Sequence, residues 1–160
     1  MASRRSNSVE VFFFSSRVVY VLNYQFRAAI INAGVSEGSN VLVTGAGGGV
    51  ALLVIQLSIA KGANVFVTSG KEEKIQKLLS FGVKGGVNYK HGEGIPPWVE
   101  YTSESDLFHL TGDWPIELGK LLEREGSGLL DAVIDSAGRD IADKTSKLLK
   151  PGGKIVAYGM

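Results

Sequence analysis

Short, continuously apolar runs alternate along this chain with segments whose apolar residues recur every three or four positions. Asn40 to Thr44 reads as a strand whose centre, Val41-Leu42-Val43, is a continuous apolar run, which suits a parallel strand covered on both faces better than a strand with one wet face. The spacing then turns helical at Val50, Leu53, Val54, Leu57 and Ala60, and Gly62 closes that helix just past Lys61. The same unit repeats with an apolar strand from Asn64 to Thr68 and a helix carrying Ile75, Leu78 and Leu79 that stops at Gly82. Ser69 and Glu72 have the spacing of a capping box for that helix. Upstream, Phe26 to Ala33 reads as a short helix ended by Gly34. Downstream come a short strand from Gly86 to Tyr89 and a helix capped by Asp113 and carrying Leu118, Leu121 and Leu122. A fourth strand follows from Asp131 to Asp135, then a helix from Ile141 to Lys150 with Leu148 and Leu149 inward. The turn Pro151-Gly152-Gly153 leads to a fifth strand, Lys154 to Tyr158.

Strands alternating with helices at this spacing imply right-handed βαβ units and a parallel sheet. The predicted fold is therefore α/β, a doubly wound sheet of the Rossmann type, incomplete at the C-terminus, where a further strand is expected. Residues 25–160 form the domain; residues 1–24 match nothing in it. Residues 92–111, aperiodic and broken by two prolines, read as an insertion.

Composition narrows the class. Lys and Arg number 17 against 16 Asp and Glu, a balance that offers no footprint for nucleic acid. There is no cysteine, and the two histidines, His91 and His109, are far apart in sequence, so no metal site is expected. Glu10 and Arg17 interrupt the apolar stretch from Val9 to Leu22, which argues against a membrane span or a secretory signal. The expected location is cytoplasmic; the Arg- and Ser-rich start leaves a transit peptide as the alternative.

Chemistry concentrates between the first strand and the first helix, at Thr44-Gly45-Ala46-Gly47-Gly48-Gly49-Val50-Ala51. A diphosphate needs close backbone and a helix N-terminus aimed at it, and Ala46-x-Gly48-x-x-Ala51 supplies both; the last position admits alanine because it packs helix on strand. A strand before the loop, a helix after it and a second strand ending about twenty residues on form the context in which such a loop holds a dinucleotide. The end of the second strand selects the cofactor. Asp or Glu there would accept from the ribose hydroxyls of NAD, but Thr68-Ser69-Gly70 has no acid, while Lys71 and Lys74 stand within one turn at the positive end of the helix. This favours NADP(H), whose extra phosphate a carboxylate would repel. Lys74 has a second reading as a surface lysine paired with Glu72 or Glu73, and Tyr89 one as an ordinary strand aromatic.

Three longer segments carry a family resemblance: Val41-Leu-Val-Thr-Gly-Ala-Gly-Gly-Gly-Val50, Asp131-Ala-Val-Ile-Asp-Ser-Ala-Gly138 and Leu149-Lys-Pro-Gly-Gly-Lys-Ile-Val-Ala-Tyr-Gly159. With the Ser69-Gly70-x-x-x-Lys74 segment and Asn88-Tyr89-Lys90, the chain from about Gln25 onward resembles the quinone oxidoreductase and zinc-type alcohol dehydrogenase-like branch of the medium-chain dehydrogenases/reductases. The resemblance implies that Gly70, Lys74 and Tyr89 surround the adenosine 2′-phosphate, beside Ser69, and that Ser136 and Gly138 line the dinucleotide cleft. The loop residues Gly45, Ala46, Gly47, Gly48, Gly49 and Val50 would carry the diphosphate. It also implies a parent oxidoreductase that passes a hydride from NADPH to a quinone, an activated alkene or a carbonyl of a small-molecule substrate, with homo-oligomers open to it. In such enzymes an earlier catalytic domain binds the substrate; nothing before Gln25 resembles it, so no catalytic residue is named. The alternative expectation is an inactive truncated product or a non-catalytic NADP-binding module. A short-chain dehydrogenase would need Tyr-x-x-x-Lys, and no tyrosine here has a lysine four residues on. A methyltransferase would want acids at the ends of the first two strands, which are missing.

Overall fold

The computed structural model describes residues 27, 29–90, 113–125, 128–136, 138 and 140–158. The non-matching N-terminal segment and the 92–111 insertion lie outside the described residues. Five strands form one sheet: β1 (Asn40–Val43), β2 (Asn64–Ser69), β3 (Gly85–Asn88), β4 (Leu130–Asp135) and β5 (Leu149–Ala157). Their order is β3-β2-β1-β4-β5, and every neighbouring pair is parallel. The connecting helices are α1 (Gly49–Ala60), α2 (Glu72–Leu79), α3 (Trp114–Glu125) and the short α4 (Ile141–Thr145).

Both faces of the sheet are covered, which is why β1 is buried at every position and can be apolar at three consecutive ones, Val41 to Val43. Val41 and Val43 point into one core with Val65, Val67, Ala132 and Ile134, beneath Ala51, Val54 and Ile55 of α1 and Leu78 of α2. Leu42, between those two valines, points the other way, into a second core with Phe66, Val87 and Val133 under Trp114, Leu118 and Leu122 of α3. A strand's side-chain period of two thus distributes one apolar run over two cores. Residues 29–33, helical as expected, join the first core through Ala29, Ile30 and Ala33.

Three local expectations are corrected. Ser69 does not cap α2: it is the last residue of β2, the N-cap is Lys71 in extended conformation with no side-chain cap, and the Ser69 hydroxyl accepts from the Lys71 N–H at 3.3 Å. The helix expected to reach Lys150 stops at Thr145 and tightens into a 3₁₀ turn over Ser146–Leu148, because the chain must become a strand at Leu149. That strand begins five residues before Lys154. Leu149 pairs with Leu130, and the ladder resumes at Lys154 opposite Ala132, so Pro151-Gly152-Gly153 is a bulge inside β5 rather than a turn before it. Gly152 takes φ of 80° there.

Candidate cofactor site

All five strands run the same way, so their C-terminal ends form one rim. The order reverses between β1 and β4, where the chain leaves β1 toward one face and β4 toward the other; a crevice at that point is where doubly wound sheets bind ligands. The glycine loop lies on this rim. Gly45 takes φ of 63°, and a Cβ on it would sit 2.7 Å from the Ser136 Oγ, so only glycine lets the loop lie against the end of β4. The Gly45 N–H donates to Thr68 Oγ1 at 3.3 Å and the Ala46 N–H to the Thr68 carbonyl at 3.0 Å, fastening the loop to the end of β2. The Ala46 methyl is buried in the first core.

From Gly48 the loop becomes a helix. Gly48 is the N-cap of α1 with no side-chain cap, and a Cβ on Gly48 or Gly49 would meet no protein atom within 4 Å. Bare backbone therefore faces outward at a helix N-terminus that holds Gly49 and Val50 in its first turn, an arrangement suited to a phosphate group.

Beside this terminus is a polar cavity of about 210 Å³ that gathers Gly45, Gly47, Ser69, Gly70 and Lys74 with Lys71, Tyr89 and Lys90. Three cations on one small cavity, without a carboxylate among its lining residues, suit a dianionic phosphate. Gly70 is its floor: a Cβ there would lie 2.9 Å from the Tyr89 hydroxyl and 3.0 Å from Lys90 Cδ. The Tyr89 N–H donates to the Ser69 carbonyl at 3.1 Å, which sets the tyrosine beside Gly70. The pairing of Lys74 with Glu72 or Glu73 is absent among the described residues, and Glu72 instead accepts from Gln76 at 3.0 Å. Lys90 went unassigned as a site residue in the sequence; only its place directly after Tyr89 could have marked it.

Ser136 and Gly138 lie on the opposite lip. The Ser136 N–H donates to Thr44 Oγ1 and its hydroxyl to the Thr44 carbonyl, both at 3.1 Å. Thr44 Oγ1 in turn donates to Asp135, whose other carboxylate oxygen accepts the Gly138 N–H at 2.9 Å. Tyr158, just past β5, stands near this network. Burial raises its pKa above the ordinary tyrosine value, and the Asp135 carboxylate adds to it. The Ser136 hydroxyl is committed to the Thr44 carbonyl, and the Tyr158 hydroxyl has no hydrogen-bond partner among the described residues.

A larger groove, of about 440 Å³, adjoins the cavity between α1 and α2. Leu52, Ile55, Ile59, Leu78 and Phe81 make it chiefly apolar, with Lys74, Lys77 and Gln56 as its polar side chains. No group of three His, Cys, Asp or Glu among the described residues could hold a metal ion, and no described helix is long and apolar enough to cross a membrane.

Sheet order, loop and cavity together define a nucleotide-binding domain of the doubly wound class. Residues 49–160 match the model of the zinc-binding dehydrogenase family, and the chain belongs to that family. This agrees with the resemblance to medium-chain dehydrogenases/reductases carried by the three sequence segments. The chain is 41% identical over 136 residues to a zinc-type alcohol dehydrogenase-like protein, YogA, of Leptosphaeria maculans, covering 84% of this chain and 33% of that protein. It thus spans about a third of the length of that relative. A solved NAD-dependent alcohol dehydrogenase superposes with a TM-score of 0.62 at 28% identity, over 85% of this chain and 33% of that one. The quinone oxidoreductase of Thermus thermophilus, solved alone and with NADPH, superposes with a TM-score of 0.59 over 85% of this chain and 42% of its own; at 18% identity the likeness is one of fold. The names of these relatives divide between NAD and NADPH, so the choice of cofactor rests on the residues of this chain.

Proposed function

We propose that this chain is the NADP(H)-holding domain of an oxidoreductase that transfers a hydride to a quinone, an activated alkene or a carbonyl of a small-molecule substrate. The observation that carries the cofactor choice is the cavity at the end of β2, where Gly70 makes room and Lys71, Lys74 and Lys90 bring positive charge to the place where an NAD site presents a carboxylate. Gly45, Gly47, Gly48, Gly49 and Val50 would carry the diphosphate at the start of α1, with Ala46 anchoring the loop through Thr68. Ser69, Gly70, Lys74 and Tyr89 would hold the 2′-phosphate end, and Ser136 and Gly138 the nicotinamide half across the rim. NADPH, when bound, supplies the hydride. The chain's own residues bind it and fix its direction across the sheet, and names such as zinc-type alcohol dehydrogenase-like and quinone oxidoreductase support the reaction class for the parent protein.

Titration of the chain with NADPH and with NADH, followed by nicotinamide fluorescence, tests the proposal. A preference for NADPH of about tenfold or more is expected, in line with one charge-assisted contact of about 1.5–3 kcal/mol. Equal affinity, or a preference that survives Lys74→Ala, contradicts it.

A further inference from the structure

We propose that Asp135 is a positioning residue for the dinucleotide: its carboxylate ties the lip carrying the glycine loop to the lip carrying Gly138 and so fixes the width of the crevice between β1 and β4. This rests on the cofactor reading above. The sheet ladder between these strands ends with the Thr44 N–H donating to the Ile134 carbonyl at 3.1 Å. Beyond that point the two chains leave for opposite faces, and side chains take over the joining. Asp135 accepts from Thr44 Oγ1 with one oxygen and from the Gly138 N–H with the other. Thr44 Oγ1 also accepts from the Ser136 N–H, and Ser136 returns its hydroxyl to the Thr44 carbonyl.

Asp135 is 4% exposed, and among the described residues it is the only charged side chain buried to that degree. A buried carboxylate is a poor choice for stability alone, since an apolar replacement of like shape often serves as well. Here it meets donors from both lips of the rim at once. A hydrophobic side chain could fill the space without fixing the distance between Thr44 and Gly138. The carboxylate accepts at both ends and does so with charge; an amide can accept the Gly138 N–H only by turning its NH₂ on Thr44 Oγ1, which must then accept rather than donate, and both bonds lose their charge assistance.

The test separates the two halves of the cofactor in the full chain. 2′-AMP reports the cavity at Gly70 and Lys74, away from Asp135, while NADPH must also cross the crevice. In Asp135→Asn and in the near-isosteric Thr44→Val, NADPH affinity is expected to fall about tenfold, the loss of a charge-assisted hydrogen bond, while 2′-AMP affinity, followed by amide chemical shifts, stays within about twofold of wild type. Thr44→Ser, which keeps the hydroxyl, restores NADPH binding. Should Asp135→Asn fail to fold, the Thr44→Val and Thr44→Ser pair decides alone. Parallel loss of both ligands, or unchanged NADPH affinity in folded variants, overturns the inference and leaves the cofactor reading standing. Failure of the wild-type chain to bind 2′-AMP and NADPH overturns the cofactor reading, and the inference with it.

Discussion

The ammonium of Lys74 lies over Gly47, so close that a Cβ on Gly47 would sit 2.5 Å from its Nζ. The glycine loop and α2, separated along the chain by α1 and β2, therefore meet at one point on the cavity wall. Lys74 reaches that point because Gly47 has no side chain. Gly47→Ala is expected to displace the flexible lysine at small cost in stability, about 1 kcal/mol or less, and to lower NADPH affinity several-fold more than NADH affinity, because only NADPH carries the phosphate that Lys74 would hold. Equilibrium denaturation and fluorescence titration read the two effects separately; an equal loss for both nucleotides would point to loop distortion instead.

β3 carries its constraint in two adjacent glycines that face opposite layers. A Cβ on Gly85 would lie 2.5 Å from Leu121 Cδ2 of α3, and one on Gly86 would lie 2.7 Å from Ile75 Cγ2 of α2 and 2.8 Å from Val67 Cγ2 of β2. Both helices press on the strand from opposite sides. Gly85→Ala and Gly86→Ala should each destabilise the domain by about 1–3 kcal/mol through overpacking, read as a lower denaturant midpoint. The loss should be clearer for Gly86, whose neighbours are branched side chains held by two elements. A change below about 0.5 kcal/mol in both would show that the layers have room to move.

Tyr158 gives a pH signature. Burial raises its pKa in the folded chain above the value of about 10 that it has unfolded, so the folded state holds the phenolic proton more tightly. Its contribution to stability is complete below about pH 10 and is lost as pH rises through the folded pKa. Spectrophotometric titration should show one tyrosine ionising late, and Tyr158→Phe should remove both that late phase and the corresponding part of the alkaline loss in stability. A normal ionisation for every tyrosine would contradict the burial of this hydroxyl.

The βαβ core was legible because its signals are local. Apolar runs at 41–43 and 65–67, helical spacing from Val50 to Ala60 and a glycine past each helix are read within a dozen residues. The cavity residues Gly70, Lys74 and Tyr89 lie within twenty residues of one another and carry recognisable motifs. Ser69 misled because Ser-x-x-Glu suits a capping box equally well whether or not the strand runs one residue further; the β2–β3 pairing of Ser69 with Asn88 decides that. The bulge in β5 was hidden because Pro-Gly-Gly signals a turn, and only the partner strand shows that the ladder resumes beyond it. The Thr44–Asp135 bond joins residues 91 apart, and no local pattern announces it.

A crystal structure of the chain with NADP⁺ tests the central claim most directly. The account predicts the 2′-phosphate in the cavity over Gly70, within hydrogen-bond distance of Lys74 Nζ and the Tyr89 hydroxyl, with the diphosphate at the N–H groups of Gly49 and Val50. A 2′-phosphate turned out to solvent, or a nucleotide seated in the apolar groove between α1 and α2, would contradict it.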